Sequence, residues 1–242
     1  MITFFAISMR RALTFIAVIA TCAAFSVPAH AQVTIGAPQT TSFGPFTRGA
    51  SGFASFGQSF TSPLQSSTLT SVGLSLSNFN NGGALKFDVY IYLFDSAARR
   101  VASTALWSAI GVAGSSNDFA FDARTFDTGG LQLGGGATLL FFISAANQTG
   151  NPADAANLVG VSDADTYAGG SFFMASSGIY SDLLQPGAFT LVNGVADLAF
   201  SARFQLNAQV VPEPATALLM AVGLLAMLCI AARRRSVPRG EA

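Results

Sequence analysis

The carboxylates are the first place to look for chemistry in this 242-residue chain, because other reactive side chains are confined to its ends. Cysteine occurs only at positions 22 and 229 and histidine only at position 30, so residues 32–210 contain neither. Thiol nucleophiles, histidine bases, disulfides and Cys/His zinc sites are excluded from that stretch. It holds ten aspartates and no glutamate. Acid/base work of the glycosidase kind would need two of them facing one another across a substrate. Asp118, Asp122 and Asp127 form the densest group, but their spacing is equally that of solvated strand ends and turns. The sequence therefore predicts no enzyme, and an Asp-dependent glycoside hydrolase ranks last among the functional classes.

Two binding chemistries remain. Asp163 and Asp165, with Asp154 and Asn157 upstream, offer loop oxygens of the type that holds calcium, although the spacing is not that of an EF-hand. No cofactor is expected beyond that weak candidate for structural calcium. Tyr90, Tyr92 and Trp107, with Tyr167 and Tyr180 elsewhere, could stack on sugar rings. The competing and preferred reading is that a loop or partner covers the second face of the strand carrying the two tyrosines.

The elements that would position these residues are strands. Leu85, Phe87, Val89, Ile91 and Leu93 alternate with Lys86, Asp88, Tyr90, Tyr92 and Phe94, a period of two. The same alternation runs through 71–77 and 197–207, and shorter apolar runs lie at 101–107, 119–126, 137–145, 158–162, 171–175 and 189–192. Residues 33–60, rich in Ser, Thr, Gly and Phe, read as irregular chain with one or two edge strands, followed by a strand ending at Pro63. Glycine-rich turn signals at 80–83, 114–117, 129–130, 134–136, 150–152 and 169–170 separate the runs. Many strands without an amphipathic helix predict an all-β, antiparallel, jelly-roll-like β-sandwich over residues 32–210. Six cations against ten aspartates give this stretch a net charge of −4, so it has no basic face for nucleic acid.

The ends carry targeting chemistry. Arg10-Arg11, an apolar run and Ala29-His-Ala31 have the three regions of a secretory signal peptide over residues 1–31. Cleavage after Ala31 is expected, with the Sec translocon and signal peptidase as partners. The apolar residues ahead of Arg10 suggest that translation begins at Met9. From Ala215 to Ala232 there is no charge, and Arg233, Arg234 and Arg235 follow. A helix of that length rises about 27 Å, close to the thickness of a hydrocarbon core. The arginines then place residues 236–242 on the cytoplasmic side.

Val211-Pro212-Glu213-Pro214, the apolar segment and the arginine cluster, in that order, resemble the PEP-CTERM sorting signal of Gram-negative bacteria, an element also catalogued as an ice-binding protein C-terminal domain. The resemblance implies recognition of residues 211–235 by an exosortase-type transpeptidase and delivery to the cell surface or extracellular matrix, after transient or stable anchoring in the membrane. More loosely, 57–63, 85–92, 165–170 and 197–200 are similar to the β-sandwich bodies of such proteins. The expectation is a structural surface protein associated with exopolysaccharide, with a carbohydrate-binding or ice-binding module as the alternative. No Thr-rich repeat of the kind that would form a flat hydroxyl array is present.

Overall fold

The computed structural model describes residues 31–48, 52–79, 85–151, 155–193, 197–207, 223–225 and 227–228. The chain divides after Asn207 into a β-domain and a C-terminal unit. The described residues of the latter are helical. Among the described residues no helix is long and apolar enough to cross a membrane; most of the 215–232 span expected from sequence, and the whole of the signal peptide except Ala31, lie outside them.

The strands are β1 (Gln32–Ala37), β2 (Thr41–Phe46), β3 (Ser55–Thr61), β4 (Ser67–Asn78), β5 (Lys86–Asp95), β6 (Arg100–Val101), β7 (Trp107–Ala113), β8 (Asp122–Leu133), β9 (Thr138–Ser144), β10 (Asn157–Ser162), β11 (Phe172–Ala175), β12 (Thr190–Leu191), β13 (Asp197–Leu198) and β14 (Phe200–Leu206). Among the described residues of the domain one 3-10 turn, Tyr180–Leu184, interrupts the run. The first sheet has the order β1-β14-β4-β10-β13, with β8 on the free side of β4 and β2 on β10. The second has the order β12-β11-β3-β9-β5-β6, with β7 also on β5. Every pairing between named strands is antiparallel. The all-β sandwich expected from the alternation is therefore observed.

Phenylalanine fills the space between the sheets. Phe46, Phe56, Phe60, Phe87, Phe141 and Phe172 are fully buried. Phe46 of the first sheet meets Phe87 of the second at 5.7 Å between ring centroids, and Phe60 of the second meets Phe204 of the first at 6.2 Å. Each such ring removes roughly 150–250 Å² from water, which makes these contacts the main apolar contribution to the fold.

Two local expectations are corrected. Val101–Trp107 is not one strand: the chain loops out between β6 and β7, both of which pair with β5. Gly129-Gly130 is not a turn either. β8 runs through it as a bulge against β4, where the register shifts between Leu69 and Ser71. Both glycines have positive φ, 67° and 80°, the conformation a bulge needs and a side chain resists.

The registers also fix where the strands begin and end. Gln32 pairs with Gln205, and Ser67 pairs with both Leu206 and Leu133. In the second sheet Thr61 pairs with Thr138, while Leu139 pairs with Leu93 near the end of β5. The Ser62 and Gly136 backbone N–H groups donate to Ala137 and Pro63, extending the β3–β9 ladder into the two turns that cross to the first sheet. The start of β1 and the end of β14 thus share one end of the sandwich with the 62–66 and 134–137 turns and the 96–99 hairpin tip.

Candidate functional site

The outer face of β5 is not a surface. Tyr90 and Tyr92 are only 5% and 3% exposed, and Asp88 on the same face is 1% exposed. The 176–192 segment crosses above them, and its Tyr180, Leu183 and Phe189 form a second apolar cluster with Tyr90, Tyr92, Phe94 and Phe142. Tyr180 lies 4.9 Å from Tyr90 between ring centroids, and its hydroxyl meets that of Tyr92 at 2.6 Å. The Tyr90 hydroxyl donates to Asp88 at 3.0 Å, and Asp88 also accepts from the Gly111 N–H at 2.9 Å and from the Gln148 amide. Burial pushes the Tyr90 phenol up to about 12, and burial together with the Tyr92 hydroxyl raises Tyr180 as well.

Trp107 pairs with Ile91 and packs on the opposite, inner side, against Phe126. Tyr90, Tyr92 and Trp107 therefore do not form a surface platform for sugars. A loop covers the second face of the strand, as its mixed polarity implies.

The acidic candidates are likewise engaged in local structure. Asp118 accepts from the Asn78 amide at 2.8 Å. Asp122 accepts from Ser115 at 2.8 Å and Asn117 at 2.6 Å, and these bonds hold its carboxyl below the ordinary range. Asp127 accepts the Gly129 N–H that closes the bulge. Five residues along one strand put Asp122 and Asp127 on opposite faces, so they cannot flank one substrate. Asp163 accepts from the Thr40 hydroxyl at 2.7 Å, and both it and Asp165 are exposed. Asn157 is buried at the far end of β10, where its amide donates to the Ser77 and Ser115 carbonyls, too distant to join them. Asp154 lies outside the described residues, among which no cluster of three metal-ligating side chains occurs.

The deepest aspartate is Asp197, fully buried between the sheets. One carboxylate oxygen accepts the Thr166 and Tyr167 N–H groups, each at 3.1 Å, and the other accepts from Gln58 at 2.9 Å. Gln58 in turn accepts the Leu198 N–H at 2.8 Å. Burial raises the Asp197 carboxyl despite these donors. The group ties the 163–171 segment to β3 and β13, and it faces no opening.

An open polar surface does exist, on the outside of the first sheet. Register aligns Thr34, Arg203, Ser71 and Asp127 in one row across β1, β14, β4 and β8, with Gly36, Ser201, Gly73 and Thr125 in the next. The alternate residues Val33, Ala202, Val72 and Phe126 point into the core. A depression of about 320 Å³ lies over the first row. It adjoins another of about 160 Å³ beside Gln39, Ser75 and Ser201, with Thr125 lining both. Hydroxyls, amides and one guanidinium without an ion-pair partner among the described residues can donate to and accept from a polyol at many points. The alternation of Ser71, Gly73 and Ser75 is visible in the sequence, but only pairing brings it beside Ser201, Arg203 and Thr125.

Of the sorting and processing residues, Val211 to Pro214, Arg233 to Arg235 and Ala29 lie outside the described residues. Ala31, beside the expected cleavage point, is exposed, and its carbonyl accepts the Leu206 N–H at 2.8 Å.

Residues 210–235 match the family model of the PEP-CTERM protein-sorting motif. No curated protein matches the chain. Among solved structures it is similar to the clostridial cysteine protease Cwp84 after propeptide cleavage, at 14% identity over 73% of this chain and 40% of that one, with a TM-score of 0.45. A second similarity is to the cysteine protease and lectin-like domains of Cwp84, a surface layer associated protein of Clostridium difficile, at 16% identity over 64% and 33% of the two chains and a TM-score of 0.40. A third, to infectious bursal disease virus Gx strain, has 14% identity over 83% and 50% and a TM-score of 0.32. The chain thus spans well under half the length of the Cwp84 chains that it matches. The sorting motif supports export, exosortase-dependent processing and association with the cell surface or membrane.

Proposed function

We propose that this protein is a structural component of the cell surface or extracellular matrix that associates with exopolysaccharide and catalyses no reaction. The observation that carries the reading is the sorting motif at 210–235, which follows directly on the last strand of the sandwich. An exosortase-type transpeptidase reads Val211-Pro212-Glu213-Pro214. The two prolines keep that backbone extended and poor in hydrogen-bond donors, and the arginines stop the apolar segment at the cytoplasmic headgroups.

The sandwich supports a contact role. Its candidate acids cap turns or brace loops, whereas its polar outer face offers hydroxyl and amide groups in register. That face, rather than Tyr90, Tyr92 and Trp107, is the place for glycan contact. A carbohydrate-binding module is the related second reading, favoured by the same depression.

Two measurements test the proposal. Alanine at Pro212, Glu213 and Pro214 together abolishes surface delivery in cell fractionation; unchanged delivery would refute the sorting reading. Retention of the purified chain on neutral and acidic exopolysaccharide gels is lost in an Arg203→Ala, Thr125→Ala double variant with an unchanged melting temperature. Equal retention of that variant and the parent, or none by the parent, would refute the glycan contact.

A further inference from the structure

We propose that the end of the β-domain at which β1 begins and β14 finishes docks on an anionic lipid surface, inserting Leu64 and setting Arg99 and Arg100 against headgroup phosphates.

Leu64 is 91% exposed, the most exposed large apolar side chain of the domain among the described residues. It stands on a braced turn. The Gly136 N–H donates to Pro63 at 3.0 Å, and at Gly135 the Leu64 carbonyl sits where a side chain would begin, 1.8 Å from an added Cβ. Leu93, 45% exposed, faces solvent nearby on the strand that pairs with β9.

Arg99 and Arg100 are exposed on the neighbouring 96–99 hairpin tip and at the start of β6. Neither has an ion-pair partner among the described residues. The acid at this tip, Asp95, accepts the Ala97 and Ala98 N–H groups at 3.0 Å each. Two arginines against one aspartate leave this tip with a net charge of +1, within a stretch whose net charge is −4. The opposite end also exposes aromatic rings, Phe79 at 37% and Phe119 at 67%. There Asp118 and Asp122 stand beside them together with Arg48, Lys86 and the ion-paired Arg124, so charge does not separate the two ends and the choice falls to where the chain leaves the domain.

The length of chain beyond the domain selects the occupant. The chain leaves at Asn207 on the Leu64 end, and the apolar stretch begins eight residues later at Ala215. Even fully extended, those residues reach no more than about 28 Å. The inference rests on the reading that 215–232 enters a bilayer, in which case this end is held within docking distance of headgroups before processing. Each arginine at a phospholipid surface favours the docked state by about fivefold, so the pair contributes roughly thirtyfold.

The test uses the full chain with Cys22 and Cys229 replaced by serine and an environment-sensitive fluorophore on Leu64→Cys or, as control, Phe119→Cys. The protein is reconstituted into phosphatidylethanolamine vesicles containing roughly a quarter phosphatidylglycerol, and separately into phosphatidylcholine vesicles. In the anionic vesicles the protein floats, and the label at 64 shifts to the blue and is quenched by brominated lipid. The label at 119 remains water-like. Arg99→Gln with Arg100→Gln, or phosphatidylcholine alone, lowers the ratio of docked to undocked label at 64 by roughly thirtyfold. A chain that fails to float overturns the membrane reading and the docking with it. A floating chain whose label at 64 stays water-like, or whose label at 119 is the one quenched, overturns docking alone. Quenching at 64 indifferent to both arginines and to lipid charge overturns the anionic contact.

Discussion

Replacing Tyr90 or Tyr92 separates a buried network from a sugar-binding surface, because the two arrangements predict opposite pairs of outcomes. Both rings are nearly inaccessible and lie under Tyr180 and Phe189. Truncation of a buried aromatic ring to alanine costs about 3–5 kcal/mol through lost burial and the cavity left behind. Tyr90→Ala also removes the donor to Asp88, a further cost of roughly 1–3 kcal/mol for a buried carboxylate left with fewer partners. Tyr92→Phe keeps the ring and loses only the hydroxyl pair with Tyr180, about 1 kcal/mol. For a domain of this size each kcal/mol moves the melting temperature by about 2–4 °C. Thermal unfolding of the purified chain should therefore show a loss of about 10 °C or more for Tyr90→Ala and only a few degrees for Tyr92→Phe. The double alanine variant, whose sites are 6.2 Å apart between centroids, should lose less than the sum but still approach the whole stability of about 5–15 kcal/mol. Its failure to bind a glycan would then report unfolding. If Tyr90→Ala melted within two or three degrees of the parent while losing retention on a polysaccharide gel, the buried-network assignment would be wrong.

Further outcomes follow from other buried groups. Asp197→Asn should destabilise by about 1–3 kcal/mol in urea unfolding, since its new NH₂ faces either the Gln58 amide or two backbone N–H groups, and flipping Gln58 sets a donor against the Leu198 N–H. A variant as stable as the parent would show that the network is not held as described. At high pH the sign is fixed by the raised phenols of Tyr90, Tyr167 and Tyr180. The folded chain keeps protons that the unfolded chain releases near 10, so stability is intact below that pH and declines as pH rises towards about 12. Absorbance at the tyrosinate band should rise together with loss of β-structure; ionisation of Tyr90, Tyr167 and Tyr180 in a still-folded chain near pH 10 would contradict the burial. Gly170→Ala should cost several kcal/mol and loosen the 163–171 segment in hydrogen exchange, because an added Cβ would lie 1.7 Å from the Ser59 carbonyl oxygen. Wild-type melting in that variant would rule out the close approach.

Composition and one-dimensional pattern settled whatever depends on residue type alone. The absence of Cys and His from 32–210 removed whole classes of chemistry, alternation announced the strands, and the order of Pro-Glu-Pro, apolar stretch and arginines marked the sorting motif matched at 210–235. These signals are local, and they survive without knowing what lies across a sheet. Alternation could not say whether Tyr90 and Tyr92 face water, because the element covering them is a loop about ninety residues away whose short 3-10 turn has little signature of its own. Nor could spacing tell that Gly129-Gly130 bulges within a strand, or that Asp197 sits between the sheets. Pairing register assembled the polar face from Thr34, Ser71, Thr125 and Arg203, and register with the turn hydrogen bonds brought Leu64 to the same end as Arg99, Arg100 and Asn207. Antiparallel pairing over long separations makes neighbours of residues that no window along the chain contains, so what surrounds each side chain was a property of the fold.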